Sequence, residues 1–137
     1  MLEPGFLAKI AGTSAITTIV ADRVYPQYAR QADKVYPLLV YKIENVQPFM
    51  TAGGPSGVEN ADLVIACCGI KQADADATAA AVQLALNGSR GAWGTLTVQG
   101  CILKEDGVND DVVTQPDSEE IIAYVKEVNF TVTYVKP

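Results

Sequence analysis

Three cysteines and a dense run of acids are the side chains whose types and spacing invite a chemical reading. The thiols are Cys67, Cys68 and Cys101. A thiol works as a nucleophile or a soft metal ligand only once it ionises. Adjacent cysteines rarely bridge each other, and an odd count leaves one unpaired. Two of the three sit in apolar strand-like surroundings, which predicts buried free thiols suited to a reducing cytoplasm. A cysteine-only zinc site needs a fourth ligand and CxxC-type spacing, and neither is present. The chain has no histidine. That removes the Ser-His-Asp triad, the Cys-His pair and His-ligated zinc.

The acids concentrate between residues 105 and 120, where Glu105, Asp106, Asp110, Asp111, Asp117, Glu119 and Glu120 occur with no base among them. Asp106, Asn109, Asp110 and Asp111 offer the oxygen ligands calcium prefers, but the spacing is not that of an EF-hand loop and no bidentate glutamate follows at the right offset. Nothing in the sequence sets two carboxylates in an apolar cleft for glycoside chemistry. Phosphate-loop, dinucleotide, nucleophile-elbow and zinc-protease motifs are missing. The Gly-rich stretch Ala52–Gly57 lacks the lysine and the following helix that would cradle a phosphate, and reads as a hairpin loop. The expectation is a protein without catalytic residues, metal or cofactor.

Two other segments suggest contact rather than catalysis. Arg23, Arg30 and Lys34 are interleaved with Tyr25, Tyr28 and Tyr36. Aromatic and basic residues together can stack on nucleic acid. The net charge of −6 and a pI near 4.5 argue against general attraction to DNA, RNA or anionic membrane. A protein interface, or tyrosines packed on the core, is the better reading. Trp93 stands between small residues, Gly91-Ala92 before it and Gly94 after it, as a lid over the core or a partner anchor.

The elements that must position these residues fit one domain spanning 1–137. No apolar run reaches the roughly 18 residues of a membrane span, and Glu3 stands where a secretory signal carries positive charge. Residues 3–20 read as helical with a break at Gly12. Residues 21–37 read as a loop, because Pro26 and Pro37 push Tyr25 and Tyr36 out of helical geometry. Segments 38–48 and 58–70 read as a strand hairpin. The alanine-rich run 73–87 is the clearest helix, with acids in its first turn. Segments 95–104 and 121–135 read as strands, and 105–120 as a long loop. The sum is an α+β fold: a mainly antiparallel four-stranded sheet with an N-terminal helical segment and one Ala-rich helix packed on it.

The order of motifs resembles the tail completion, or tail terminator, proteins of long-tailed bacteriophages and gene transfer agents. The likeness is carried by Val20-Ala21-Asp22-Arg23-Val24-Tyr25-Pro26, then Val35-Tyr36-Pro37-Leu38-Leu39-Val40-Tyr41, the Gly-rich hairpin, the helix ending Leu84-Ala85-Leu86-Asn87-Gly88, and the alternating strand Val128–Tyr134. The resemblance implies a non-enzymatic virion protein. It would cap the tail tube as a ring, commonly a hexamer, and join the tail to the head connector. Its partners would be itself, the tail tube protein and the connector, with at most passing contact with DNA in the lumen and no membrane. It would be made in the bacterial host cytoplasm and end at the head-proximal end of the tail. Another neck or tail component, such as a head-tail adaptor or tube subunit, is the alternative. A small metal- or ligand-binding module built on the acidic loop is a third.

A ring needs a heterologous interface, in which one patch meets a different patch on the neighbour. The candidate residues are Arg23, Tyr25, Tyr28, Arg30 and Lys34 on the basic segment, Asp106, Asp110, Asp111 and Asp117 on the acidic one, and Trp93. Opposite charge on two distant segments suits head-to-tail docking. The metal-binding alternative has a direct check. Thermal melting across a calcium titration is expected to leave Tm unchanged, whereas a rise with calcium would show a site in the native state.

Overall fold

The computed structural model describes residues 2–26, 36–114 and 121–136. Helix α1 spans Leu2–Ala11, with Pro4 tolerated in its first turn. The break expected at Gly12 is present. Thr13 adopts extended backbone there, and its hydroxyl donates back to the Lys9 carbonyl at 2.7 Å, closing α1 rather than capping the next helix. Helix α2 follows at Ser14–Val20. Helix α3, Gln72–Leu86, buries Ala75, Thr78, Ala79, Val82 and Leu86 along one stripe. Thr78 is wholly buried, and its hydroxyl donates to the Asp74 carbonyl at 2.8 Å. No described helix is long and apolar enough to cross a membrane.

Six strands form one mixed sheet: β1 Val24–Pro26, β2 Leu38–Thr51, β3 Gly54–Gly69, β4 Gly91–Trp93, β5 Leu96–Thr114 and β6 Ile121–Val135, in the order β1-β2-β3-β6-β5-β4. The sheet curls into a half-barrel. Strand β1 runs parallel to β2, and every other pairing is antiparallel. This overturns the four-stranded sheet expected from the sequence. The two added strands are three residues each, in stretches that read as loops. Such segments carry too few residues to show a period, and they are strands because a longer neighbour supplies the hydrogen bonds.

The second correction concerns the acids. The expected loop 105–120 is strand β5 as far as Thr114. Charged residues are depleted in central strands but are tolerated on an edge, where one side of the backbone meets water. The register of β5 on β6 shifts between Leu103 and Val108. Gly107 sits in that bulge, where a Cβ would come within 2.8 Å of the Asn129 carbonyl oxygen. The bulge breaks the alternation that would have marked the strand. Strand β2 bends similarly at Asn45, whose φ of 54° lies at the register shift between Glu44 and Gln47.

One face of the sheet carries Leu39, Tyr41, Leu63, Ile65, Cys67, Cys101, Val128, Phe130, Val132 and Tyr134, buried against Phe6, Ile10, Ile16, Val20 and Val82 from the helices. Phe6 tilts against Tyr41 with ring centroids 5.1 Å apart. The other face is mostly polar, but Leu38, Val64, Cys68 and Ala123 are buried on it. Strand β3 is therefore covered on both sides in its middle, as its apolar residues on both faces predict.

Helix α3 lies close to the sheet. A Cβ at Gly69 would meet the Asp74 Cβ at 2.7 Å and the Ala75 backbone nitrogen at 3.0 Å, whereas one at Gly100 would meet nothing within 4 Å. Gly69→Ala is expected to cost about 1–3 kcal/mol by overpacking. Gly100→Ala is expected to be neutral or to stabilise by up to about 1 kcal/mol. Urea denaturation of both variants checks the contrast.

Candidate subunit interface

Among the described residues proposed for a partner surface, Arg23 and Tyr25 fall at one margin of the sheet, and Asp106, Asp110 and Asp111 at the other. Arg23 leads into β1, but its guanidinium is occupied within the chain. Its Nε donates to the Pro37 carbonyl at 2.8 Å and a terminal nitrogen donates to the Ile19 carbonyl at 3.2 Å. It ties the end of α2 to the start of β2. Tyr25 lies half-buried in β1. Tyr28, Arg30, Lys34 and Asp117 lie outside the described residues. Asp106 falls within β5, where only its backbone is described.

Trp93 is buried to 1% exposure, and its Nε1 donates to the Ser89 hydroxyl at 3.1 Å. Of the two readings of this residue, the structure places it in the core. There it packs beneath β4 and is not presented as an anchor.

Asp110 and Asp111 are exposed on the outer margin of β5. Asp110 lies opposite Lys126 of β6, with Oδ1 4.0 Å from its Nζ. Lys126 also reaches Asp76 of α3 at 3.3 Å. Asp111 accepts the Val112 backbone N–H at 2.8 Å. Asp76, Asp110, Asp111 and Val112 line a cleft of about 220 Å³ with Gln72, Ala75, Tyr124 and Val125. The strand geometry bears on the calcium reading. Successive residues of a strand point to opposite faces, so Asp110 is turned away from Asn109 and Asp111. Among the described residues no three acids or cysteines gather as a metal cluster.

A second groove, which the sequence did not suggest, opens where α1 meets the β2–β3 hairpin. Leu2, Glu3, Ile43, Val46, Glu59, Tyr134 and Lys136 line about 420 Å³. Its two carboxylates are held by tyrosines. Tyr41 donates to Glu3 at 2.9 Å and Tyr134 donates to Glu59 at 2.8 Å. Burial, then the hydrogen bond and charge of Glu59, push the Tyr134 hydroxyl far above its ordinary range. The residues come from four elements, so no local pattern marks them.

The outer face holds one ionic cluster. Asp62 Oδ2 accepts from Asn45 at 2.7 Å and from Lys104 at 2.9 Å. Burial alone would raise the Asp62 carboxyl, but these hydrogen bonds and the lysine charge hold it below the usual range. The three cysteines are free and buried. Desolvation pushes Cys68 up to about 11 and Cys101 up to about 12, and Cys67 still higher. At neutral pH these thiols stay protonated and inert.

The open margins of the sheet complete the geometry. Strand β1 pairs with β2 only at Leu39–Tyr41, and β4 pairs with β5 only at Leu96–Val98. Next to β4, Gly88 N–H donates to the Cys101 carbonyl and Asn87 Oδ1 accepts the Leu103 N–H. Among the described residues, no strand pairs with the outer side of β2 over 42–51 or of β5 over 104–114. Among the described residues, the arrangement is a scaffold with two unpaired strand margins and charged patches.

Comparison with known proteins gives the class. The model of the family "Tail completion protein gp17" matches residues 6–115. The chain belongs to this family and is a structural protein of the virion tail. Its fold is similar to a chain in a solved structure, "Virion of native gene transfer agent (GTA) particle". The TM-score is 0.73 at 18% identity, covering 98% of this chain and 93% of that one. No curated protein sequence matches significantly.

The thiols and Tyr134 generate a pH prediction. A group whose pKa is raised by folding contributes stability that is complete below its unfolded value and is lost as pH rises towards the folded one. Cys68 and Cys101 start from an ordinary value of 9.0. Stability measured by urea denaturation is therefore expected to fall above pH 9, by about 1.4 kcal/mol per pH unit for each thiol. Cys101→Ala should make that decline shallower. A decline of unchanged slope in this variant would show that Cys101 is not the group responsible.

Proposed function

We propose that the chain closes into a ring, commonly a hexamer, on the head-proximal end of a finished tail tube. There it stops tube growth and presents a surface to the head connector, catalysing no reaction. The family match over residues 6–115 carries this reading. The site geometry supports it: the thiols are desolvated, and the acids of β5 alternate between the two faces of a strand. In a ring, the exposed Asp110 and Asp111 of one copy would meet the basic segment Arg23–Tyr36 of the next. Arg23 is held by carbonyls within its own chain. The pairing charge then comes from Arg30 and Lys34.

Native mass spectrometry with negative-stain imaging, across a range of concentrations and with added tail tubes, tests the reading. A closed ring, free or on tube ends, is expected. A monomer that tail tubes do not recruit would overturn it. Reversing charge in Asp110→Lys/Asp111→Lys is expected to lower ring yield about tenfold at low salt, an effect of roughly 1.4 kcal/mol per joint. Unchanged assembly would remove these acids from the interface.

A further inference from the structure

Residues in register form continuous rows across the sheet. One row runs Pro48–Glu59–Tyr134–Val98–Gly91, from β2 to β4. It places β4, on one margin, level with the unpaired part of β2 on the other. A second row runs Val24–Leu39–Cys67–Lys126–Asp110, from β1 to β5. It places β1 level with the unpaired part of β5. Each margin is thus a step, and the two steps are complementary. Where one margin has a short extra strand, the other has none among the described residues.

We propose that copies of this chain join margin to margin with no axial offset, β4 lying along residues 42–51 of β2 in the next copy and β1 along the 104–114 part of β5. Unpaired strand margins offer rows of N–H and C=O groups, which a partner strand satisfies. Following strand directions across the sheet, the β4–β2 contact is parallel and the β1–β5 contact antiparallel. A joint without offset returns to its starting level, so it closes a ring rather than winding a helix.

The occupant is a second copy, and charge selects the matching margin. Arg90, beside β4, is exposed and makes no polar contact among the described residues. On the neighbour it comes level with Gln47, at the margin flanked by Glu44, which pairs with Lys42 at 3.2 Å, by Glu59, which lies 3.8 Å from Lys136, and by Glu3. These last two are the carboxylates of the groove between α1 and the β2–β3 hairpin. The wrong pairing of like margins is disfavoured. Two β5 margins would bring Asp110 and Asp111 against the same acids. Like margins repel, so the joint is head-to-tail.

This inference rests on the ring reading, and one experiment separates their failures. The double variant Arg90→Cys/Gln47→Cys is oxidised in the assembled state, alongside Arg90→Cys/Asn109→Cys, which places both thiols on one margin. The native thiols are buried and do not compete. The first variant is expected to give a ladder of cross-linked oligomers on denaturing gels, and the second none. Arg90→Glu is expected to weaken the joint about tenfold. Rings that form without the ladder, or a ladder from both double variants, would overturn the in-row joint while the ring stands. No ring in the parent protein, even with tail tubes present, would overturn both.

Discussion

Strands β3 and β6 pair antiparallel without interruption from Val58–Val135 to Gly69–Tyr124, and the rest of the molecule depends on that pairing. It is central in the sheet, so both backbones are satisfied on both sides. It also supplies Leu63, Ile65, Phe130 and Val132 to the face on which the helices settle. Alanines and Gly69 let α3 approach closely, so the helix adds dispersion contacts with few large side chains of its own. Everything added outward from this pair is shorter or bulged, and therefore more exposed.

That gradient from centre to margin sets the surroundings of the chain's reactive residue types. The cysteines lie on central strands or against them, where desolvation keeps the thiols protonated. The acids of β5 lie at the margin, where water solvates them and strand geometry turns neighbours to opposite faces. Of the partly shielded carboxylates, Glu3 and Glu59 are each tied to a tyrosine hydroxyl, and Asp62 is tied to Asn45 and Lys104.

The margins carry the assembly logic of the fold. A strand edge left bare risks indiscriminate pairing, and this chain limits the risk with bulges, a proline and like charge. The same devices leave one productive match, because the two margins differ in both outline and charge. In the proposed joint the two edges of the sheet fit each other and not themselves, through outline and charge together.

The sequence by itself determined the three helices, four of the strands, the helix break at Gly12 and the half-buried alternation of β6. Each is a local pattern of ten or so residues governed by propensity and period. It also carried the family likeness and the absence of histidine chemistry. Sheet order, the parallel β1, the three-residue β4 and the extension of β5 through the acids were decided by tertiary structure. Each depends on hydrogen bonds offered by a strand distant in sequence. The burial of Trp93 and the engagement of Arg23 were settled the same way, since a side chain's neighbours are not written in its flanking residues. The groove holding Glu3 and Glu59 came from four separated elements, and only the folded sheet brings them together.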